Sequence, residues 1–285
     1  MNEYVILTDS GADLPKEVVA QYEIGVIDLV LQIGNETKLN SEVEPKDFYA
    51  LLREKTPVTT SAVNMERFKE FFEGYLKAGK DVLYLGFSSG LSATYVAGRN
   101  AAEELSEQYP DRKLYAVDTL CASMGQGLLV YLAAKMKQGG ADIDAVRDWV
   151  EANKMSLSHW FTVDDLFFLK RGGRIGAATA VVGSLLAIKP VMHVDNEGKL
   201  VKVTTARGRR ASIDALFNKM KETMLDGNES VFISHGDCIA DAEYLANRIR
   251  TEMGIADVQI NYVGPVIGAH SGPGTLALFF LGRER

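Results

Sequence analysis

The chain has 285 residues, 47% hydrophobic and 24% charged, the composition of an ordinary globular protein, which excludes disordered, collagen-like and small disulfide-stapled classes. Surface scaling buries roughly three-quarters of the open chain's surface at this length, enough for a sizeable core without cross-links and for two domains. A formal net charge of -7 supplies no field for neutralising phosphates, so no nucleic-acid partner is expected.

Short apolar runs alternate with helical stretches, the pattern of βα units around a mostly parallel sheet. Tyr4 to Thr8 reads as a buried strand, and Asp13-Leu14-Pro15 opens a helix with a carboxylate cap and an early proline. Ile24 to Ile33 reads as one strand entering a hairpin at Gly34-Asn35, and a helix follows Pro45. Next come a helix over Asn64 to Lys77, a strand over Asp81 to Leu85, a helix over Ser92 to Glu107 and a strand over Lys113 to Val117. Helices near Met124 to Lys137 and Asp142 to Asn153 close this half.

Leu157 to Thr162 leads into a helix at Val163 to Lys170 and then the run Gly172-Gly173-Arg174-Ile175-Gly176. Val191 to Val194 and Leu200 to Thr205 meet at Asn196-Glu197-Gly198, a hairpin signal that makes this sheet mixed. Helices at Arg210 to Met224 and Ile239 to Glu252 alternate with strands at Val231 to Ser234 and Val258 to Val263. The reading is an α/β protein of two domains: residues 1–153 with a mostly parallel sheet and flanking helices, and residues 154–285 with a mixed sheet and helices.

No apolar run reaches the roughly 18 residues of a bilayer span, since Lys189 interrupts the longest and the last stops at Leu281. No basic-then-apolar leader opens the chain, and two cysteines, Cys121 and Cys238, cannot form a disulfide framework. A reducing, cytoplasmic setting is expected.

Ligands of open α/β sheets collect beyond the carboxyl ends of strands. Polar clusters recur there: Thr8-Asp9-Ser10-Gly11, Thr59-Thr60-Ser61, Ser88-Ser89-Gly90, Asp118-Thr119, His235-Gly236-Asp237, and a glycine-rich turn, Gly268-Ala269-His270-Ser271-Gly272-Pro273-Gly274. Gly86-Phe87-Ser88-Ser89-Gly90 matches the G-x-S-x-G elbow of serine hydrolases, and Ser88, Asp237 and His270 fill the order of a triad. The same serines, with Ser92, equally suit helix capping or an oxyanion held by aligned N–H groups and hydroxyls. No phosphate-loop sequence or metal-ligand spacing occurs, and Asp164 or Asp165 reads as a helix cap. Basic residues gather at Lys170-Arg171-Gly172-Gly173-Arg174 and Arg207-Gly208-Arg209-Arg210, a docking patch or a solvated face.

Thr8-Asp9-Ser10, Thr59-Thr60-Ser61, Ser88-Ser89-Gly90-Leu91-Ser92, Asp164-Asp165-Leu166, Lys170 to Ile175, Lys189-Pro190 and Gly264 to His270 together resemble the DegV family, the fatty-acid-binding subunits (FakB) of bacterial fatty acid kinase. Two departures stand out: Ala62-Val63 follows Thr-Thr-Ser where relatives continue with Gln-Pro, and Gly11 stands where Thr is common.

The resemblance implies a two-domain α/β fold with an acyl chain between the domains. It implies that Thr60, with Ser61, binds the fatty-acid carboxylate, that Ser88 and Ser89 contribute, Ser89 directly, and that His270 orients the threonine hydroxyl. It further implies a binding protein without catalytic residues, metal or other cofactor, whose ligand is a long-chain fatty acid and whose partner is the kinase catalytic subunit, with at most transient membrane contact. That kinase phosphorylates the bound carboxyl with ATP to an acyl phosphate that feeds phospholipid synthesis, and Arg171, Arg174, Arg207, Arg209 and Arg210 would dock it. Burying a chain of about 14 methylenes at ~0.8 kcal/mol each offers about 11 kcal/mol before ordering costs, so the head group needs only neutralising hydrogen bonds.

Overall fold

A computed structural model describes residues 3–176 and 188–285. The first half runs β1 (Tyr4–Asp9), α1 (Lys16–Gln21), β2 (Gly25–Ile27), β3 (Val30–Ile33), β4 (Glu36–Leu39), α2 (Pro45–Arg53), β5 (Val58–Ser61), α3 (Met65–Lys77), β6 (Asp81–Gly86), α4 (Thr94–Gln108), β7 (Leu114–Asp118), α5 (Met124–Gln138) and α6 (Ile143–Asn153). The second runs β8 (Leu157–Thr162), α7 (Phe167–Arg171), β9 (Ile188–Val194), β10 (Leu200–Arg207), α8 (Arg209–Thr223), β11 (Ser230–His235), α9 (Ile239–Met253), β12 (Asp257–Tyr262), α10 (Pro265–Ser271) and β13 (Leu276–Leu281).

Three sheets result. The first, in the order β2-β1-β6-β7, is wholly parallel. Every residue of β1 and β6 is buried, as continuous apolar strands covered on both faces require. The second, β10-β9-β8-β13-β11-β12, is mixed: only β11 and β12 run parallel. The third is a small antiparallel sheet, β4-β3-β5.

Local sequence explains the helix starts. Asn64 Oδ1 accepts from Arg67 N at 3.0 Å to cap α3, Asp142 Oδ1 accepts from Ala145 N at 2.8 Å to cap α6, and Pro45 opens α2. Along α3, Phe68, Phe72 and Leu76 recur four residues apart and form the buried face.

Several expectations change, among them the Asp13 cap: the residue before α1 is Pro15, with no side-chain cap, and the Asp13 carboxylate accepts from Ser123 instead. The stretch Ile24 to Ile33 is two strands in different sheets, because Leu29 N turns aside to donate to the Ser10 hydroxyl at 3.0 Å. Thr59-Thr60-Ser61 lies within a strand, β5, whose β-branched residues pair with β3. His270 sits on a helix, not in a turn: Pro265 occupies the first position of α10 and Gly272 follows its last residue, the usual start and stop.

The second sheet presents a core on each face. One face, with Trp160, Val191, Ile233 and Phe280, packs on α8 and α9. The other, with Phe161, Met192, Phe232, Ala277 and Phe279, joins the core of the first sheet through α5, which touches β1 and β6 on one side and β8, β11 and β13 on the other. No helix among the described residues is long and apolar enough to cross a membrane, and the apolar run ahead of Lys189 lies largely outside them.

The spacing across α5 depends on Gly125. A Cβ there would sit 2.2 Å from His159 Nε2 and 2.8 Å from Phe279 Cδ1. Gly125→Ala should therefore lower stability by about 1–3 kcal/mol in chemical denaturation, although alanine is the better helix former by ~1 kcal/mol. A stabilised variant would contradict this packing.

Candidate functional site

The strand order of the first sheet reverses direction at β1, which places a crevice beyond the carboxyl ends of β1 and β6. Asp9, at the end of β1, fixes the loops there. Its fully buried carboxylate accepts from Tyr84 Oη at 2.7 Å, Phe87 N at 2.9 Å and Gly11 N at 3.0 Å. Burial raises its pKa against those hydrogen bonds.

The loop after β6 is held by its far neighbour, the β9–β10 hairpin. Ser88 donates its hydroxyl to Gly198 O at 2.8 Å. Gly90 lies so close that a Cβ would meet Glu197 O at 2.5 Å, and Gly198, at φ 72°, could carry no side chain without striking Ser88 Oγ. The G-x-S-x-G resemblance is therefore a docking joint, with the serine spent on a carbonyl.

A cavity of about 280 Å³ opens next to this joint. Its apolar floor is the inner face of the second sheet, where Phe161 and Ala277 are cross-strand partners and β10 and β9 add Leu200 and Val194. Leu29, Phe87, Leu91, Val263, Val266 and Ile267 close it from other segments of both halves. Thr60, Ser61, Ser92, Arg174 and His270 add polar side chains to the wall.

Thr60 Oγ1 and His270 Nε2 are 2.7 Å apart, joining β5 to α10. Burial, then the charges of Arg174 and Arg171, lowers the imidazole pKa to about 4, so it is neutral at physiological pH. Its Nδ1 is buried without a partner among the described residues. Arg174 is half-buried: Nε donates to Leu91 O at 3.2 Å and Nη1 to Gly172 O at 2.5 Å.

The structure thus brings Thr60, Ser61 and His270 to one cavity, and places Ser88 and Ser89 outside its lining. Ser89 is exposed, its backbone N–H facing Asp118 Oδ1 at 3.3 Å. Ser92, quoted in the sequence motif but not selected, is the serine of that loop in the wall. The triad Ser88, Asp237 and His270 is not assembled: Ser88 bonds Gly198, Asp237 pairs with Arg53 at 2.5 Å, and His270 bonds Thr60.

Among the basic residues, Arg174 faces the cavity, Arg171 lies on the Phe168 ring, Arg210 on the Tyr244 ring, and Arg209 pairs with Asp241 at 2.8 Å. Arg207 is exposed. Asp165 accepts from Phe167 N at 2.8 Å just ahead of α7, whose N-cap is Leu166 without a side-chain cap, while Asp164 pairs with Lys189 at 2.7 Å. No group of side chains among the described residues has the makings of a metal site.

Comparison with known proteins places this geometry. The model of a family described as uncharacterised protein, DegV family, matches residues 3–283. A DegV domain-containing protein of Clostridium perfringens is 49% identical over 99% of this chain and 98% of its own length. A DegV lipid-binding protein from Thermotoga maritima superposes with TM-score 0.86 at 32% identity, covering 99% of both chains. A fatty-acid-binding DegV family protein from Thermus thermophilus does so with TM-score 0.87 at 28% identity, over 98% of this chain and 99% of its own.

His270 makes a test of the site independent of any ligand. The folded protein keeps its imidazole neutral down to about pH 4, against 6.5 for the free side chain. The unfolded state binds more protons between those values, so this group's stabilisation is complete above 6.5 and is lost as pH falls toward 4, by at most about 1.4 kcal/mol per pH unit. NMR titration of the ligand-free protein should show a His270 midpoint near 4, and a midpoint near 6.5 would mean that the ring is solvated.

Proposed function

The chain belongs to the DegV family, and from that membership and the site geometry we propose that it binds a long-chain fatty acid with the carboxylate at Thr60 and the acyl chain in the apolar cavity. The observation that carries the reading is the neutral His270 imidazole bonded to Thr60 at the wall of a cavity floored by Phe161, Ala277, Val194 and Leu200.

A carboxylate accepts hydrogen bonds and donates none. With its proton on Nε2, His270 donates to Thr60 Oγ1, and the threonine hydroxyl hydrogen is then free to donate to the ligand. Ser61 and Ser92 supply further hydroxyls, and the Arg174 guanidinium supplies positive charge without a fixed ion pair to the head group. Ser88 and Ser89 support this site by shaping the loop that carries Ser92.

Fatty-acid binding in the Thermus thermophilus relative and lipid binding in the Thermotoga maritima one support the reading. In this reading the chain is a carrier that presents its ligand to a separate kinase subunit in the cytoplasm for ATP-dependent phosphorylation of the carboxyl and onward phospholipid synthesis. The exposed Arg207 and Arg210, with Arg171, are the residues proposed to meet that subunit, while Arg209 is held by Asp241 and Arg174 by the cavity wall. The ligand then lies between the domains 1–153 and 154–285.

Solvent extraction of the purified protein followed by mass spectrometry should release close to one equivalent of long-chain fatty acid. Thr60→Ala and Ser92→Ala each remove a hydrogen bond to a charged group and should weaken binding about 10–100-fold, with Ser89→Ala the milder change. A lipid-free protein with no affinity for added fatty acid would refute the proposal.

With ATP and a fatty acid kinase catalytic subunit, the loaded protein should yield acyl phosphate, and Arg207→Glu with Arg210→Glu should slow the reaction while leaving fatty-acid affinity unchanged. Equal rates for the double variant and the native protein would remove these arginines from the docking surface.

A further inference from the structure

The cavity wall contains more oxygen than a plain alkyl chain can use. On its floor, Ser234 lies between Ala277 and Asn261 in the cross-strand row, so a hydroxyl follows the apolar pair Phe161 and Ala277. Ser234 Oγ is 3.0 Å from Ser123 Oγ, which donates to Asp13 Oδ2 at 2.5 Å. Ser123 adopts φ 52°, a costly conformation for a serine, at the start of α5. Ser271, only 5% exposed, also lines the cavity, and its hydroxyl has no partner among the described residues.

Hydrogen-bond direction follows from this chain. Ser123 has one hydrogen and spends it on Asp13, so the contact between the serines is donated by Ser234. Ser234, fully buried, is left with unused lone pairs and Ser271 with an unused hydrogen, on two residues that line the cavity. A methylene chain satisfies neither and leaves the Ser271 hydroxyl desolvated, whereas a hydroxyl group can both donate and accept.

We propose that Ser123, Ser234 and Ser271 form a second polar subsite that takes an oxygen carried along the acyl chain, so that the preferred ligand is a hydroxylated long-chain fatty acid. The inference rests on the fatty-acid reading above and adds a ligand class to it. Ser234 and Ser271 make the contacts, and Ser123, tethered to Asp13, is the positioning residue that fixes the direction of the Ser234 hydroxyl.

The test is competition binding to delipidated protein at about pH 8, where the Asp13 carboxyl, pushed up to about 7 by burial, is ionised. Stearic acid is compared with hydroxystearic acids bearing the hydroxyl near the head, at mid-chain and near the tail. One positional isomer should bind at least about tenfold more tightly than stearic acid. Ser234→Ala and Ser271→Ala should each bring that ratio toward unity, whichever way the stearic acid value itself moves. Stearic acid binding as well as every isomer, or a preference that survives both substitutions, overturns the second subsite and leaves fatty-acid binding standing. Failure of all these acids to bind removes both proposals.

Discussion

The structure turns on a hydrogen bond between residues 210 positions apart, Thr60 on β5 and His270 on α10. It is short, at 2.7 Å, and largely shielded from water, and its histidine is held neutral by burial and two nearby guanidinium groups. That neutrality matters chemically. An imidazolium would be a strong charge partner, and its binding energy would vanish as pH rose through its midpoint; a neutral imidazole sets the direction of a hydroxyl across the whole physiological range. The two segments meet because α10 packs on both β5 and α2 although its neighbours in sequence, β12 and β13, belong to the second sheet.

A similar economy of contacts holds the loop after β6. Asp9 fixes its beginning through Phe87 N, Ser88 fixes its middle on the Gly198 carbonyl, and Ser92, its last polar residue before α4, faces the cavity. The glycines at 90 and 198 permit the contact between loop and hairpin, each standing where a Cβ would overlap the other segment. These contacts tie the carboxyl end of the first sheet to the hairpin of the second beside the cavity.

Much of the fold was legible in the sequence, for identifiable reasons. Buried parallel strands such as Tyr4–Asp9 and Asp81–Gly86 are continuous apolar runs, and capped amphipathic helices such as Met65–Lys77 carry their signals locally. Residues 268–274 read as a turn because glycine at 268, 272 and 274 outweighs helical periodicity in so short a segment; Gly268 is there because Tyr49 Oη lies where its Cβ would be. Residues 58–61 were hidden by their length, since a four-residue edge strand of hydroxyl residues looks like a polar loop until its partner β3 is known. Of the residues in the cavity wall, Thr60, Ser61 and His270 were reached through the resemblance and Ser92 as one of the serines suited to an oxyanion, whereas Arg174, expected at a docking surface, owes its place to the path of the chain after α7, which no local pattern encodes.

Register explains why one face of the second sheet serves as a floor and the other as a core. Along β8, His159 and Phe161 point to the cavity side while Trp160 points to α8; along β13, Ala277 and Phe279 alternate in the same way with Leu276, Leu278 and Phe280. A slip of one residue would exchange the two sets and place Trp160 in the cavity, so burial of Trp160 against α8 also fixes which side chains line it. The volume left is set by Ala277, the smallest side chain in its row between Phe161 and Ser234. On the proposed reading, contacts along the acyl chain come from alternating positions of β8, β11 and β13 together with Ser271 of α10, and those of the head group from Thr60 of β5 and His270 of α10.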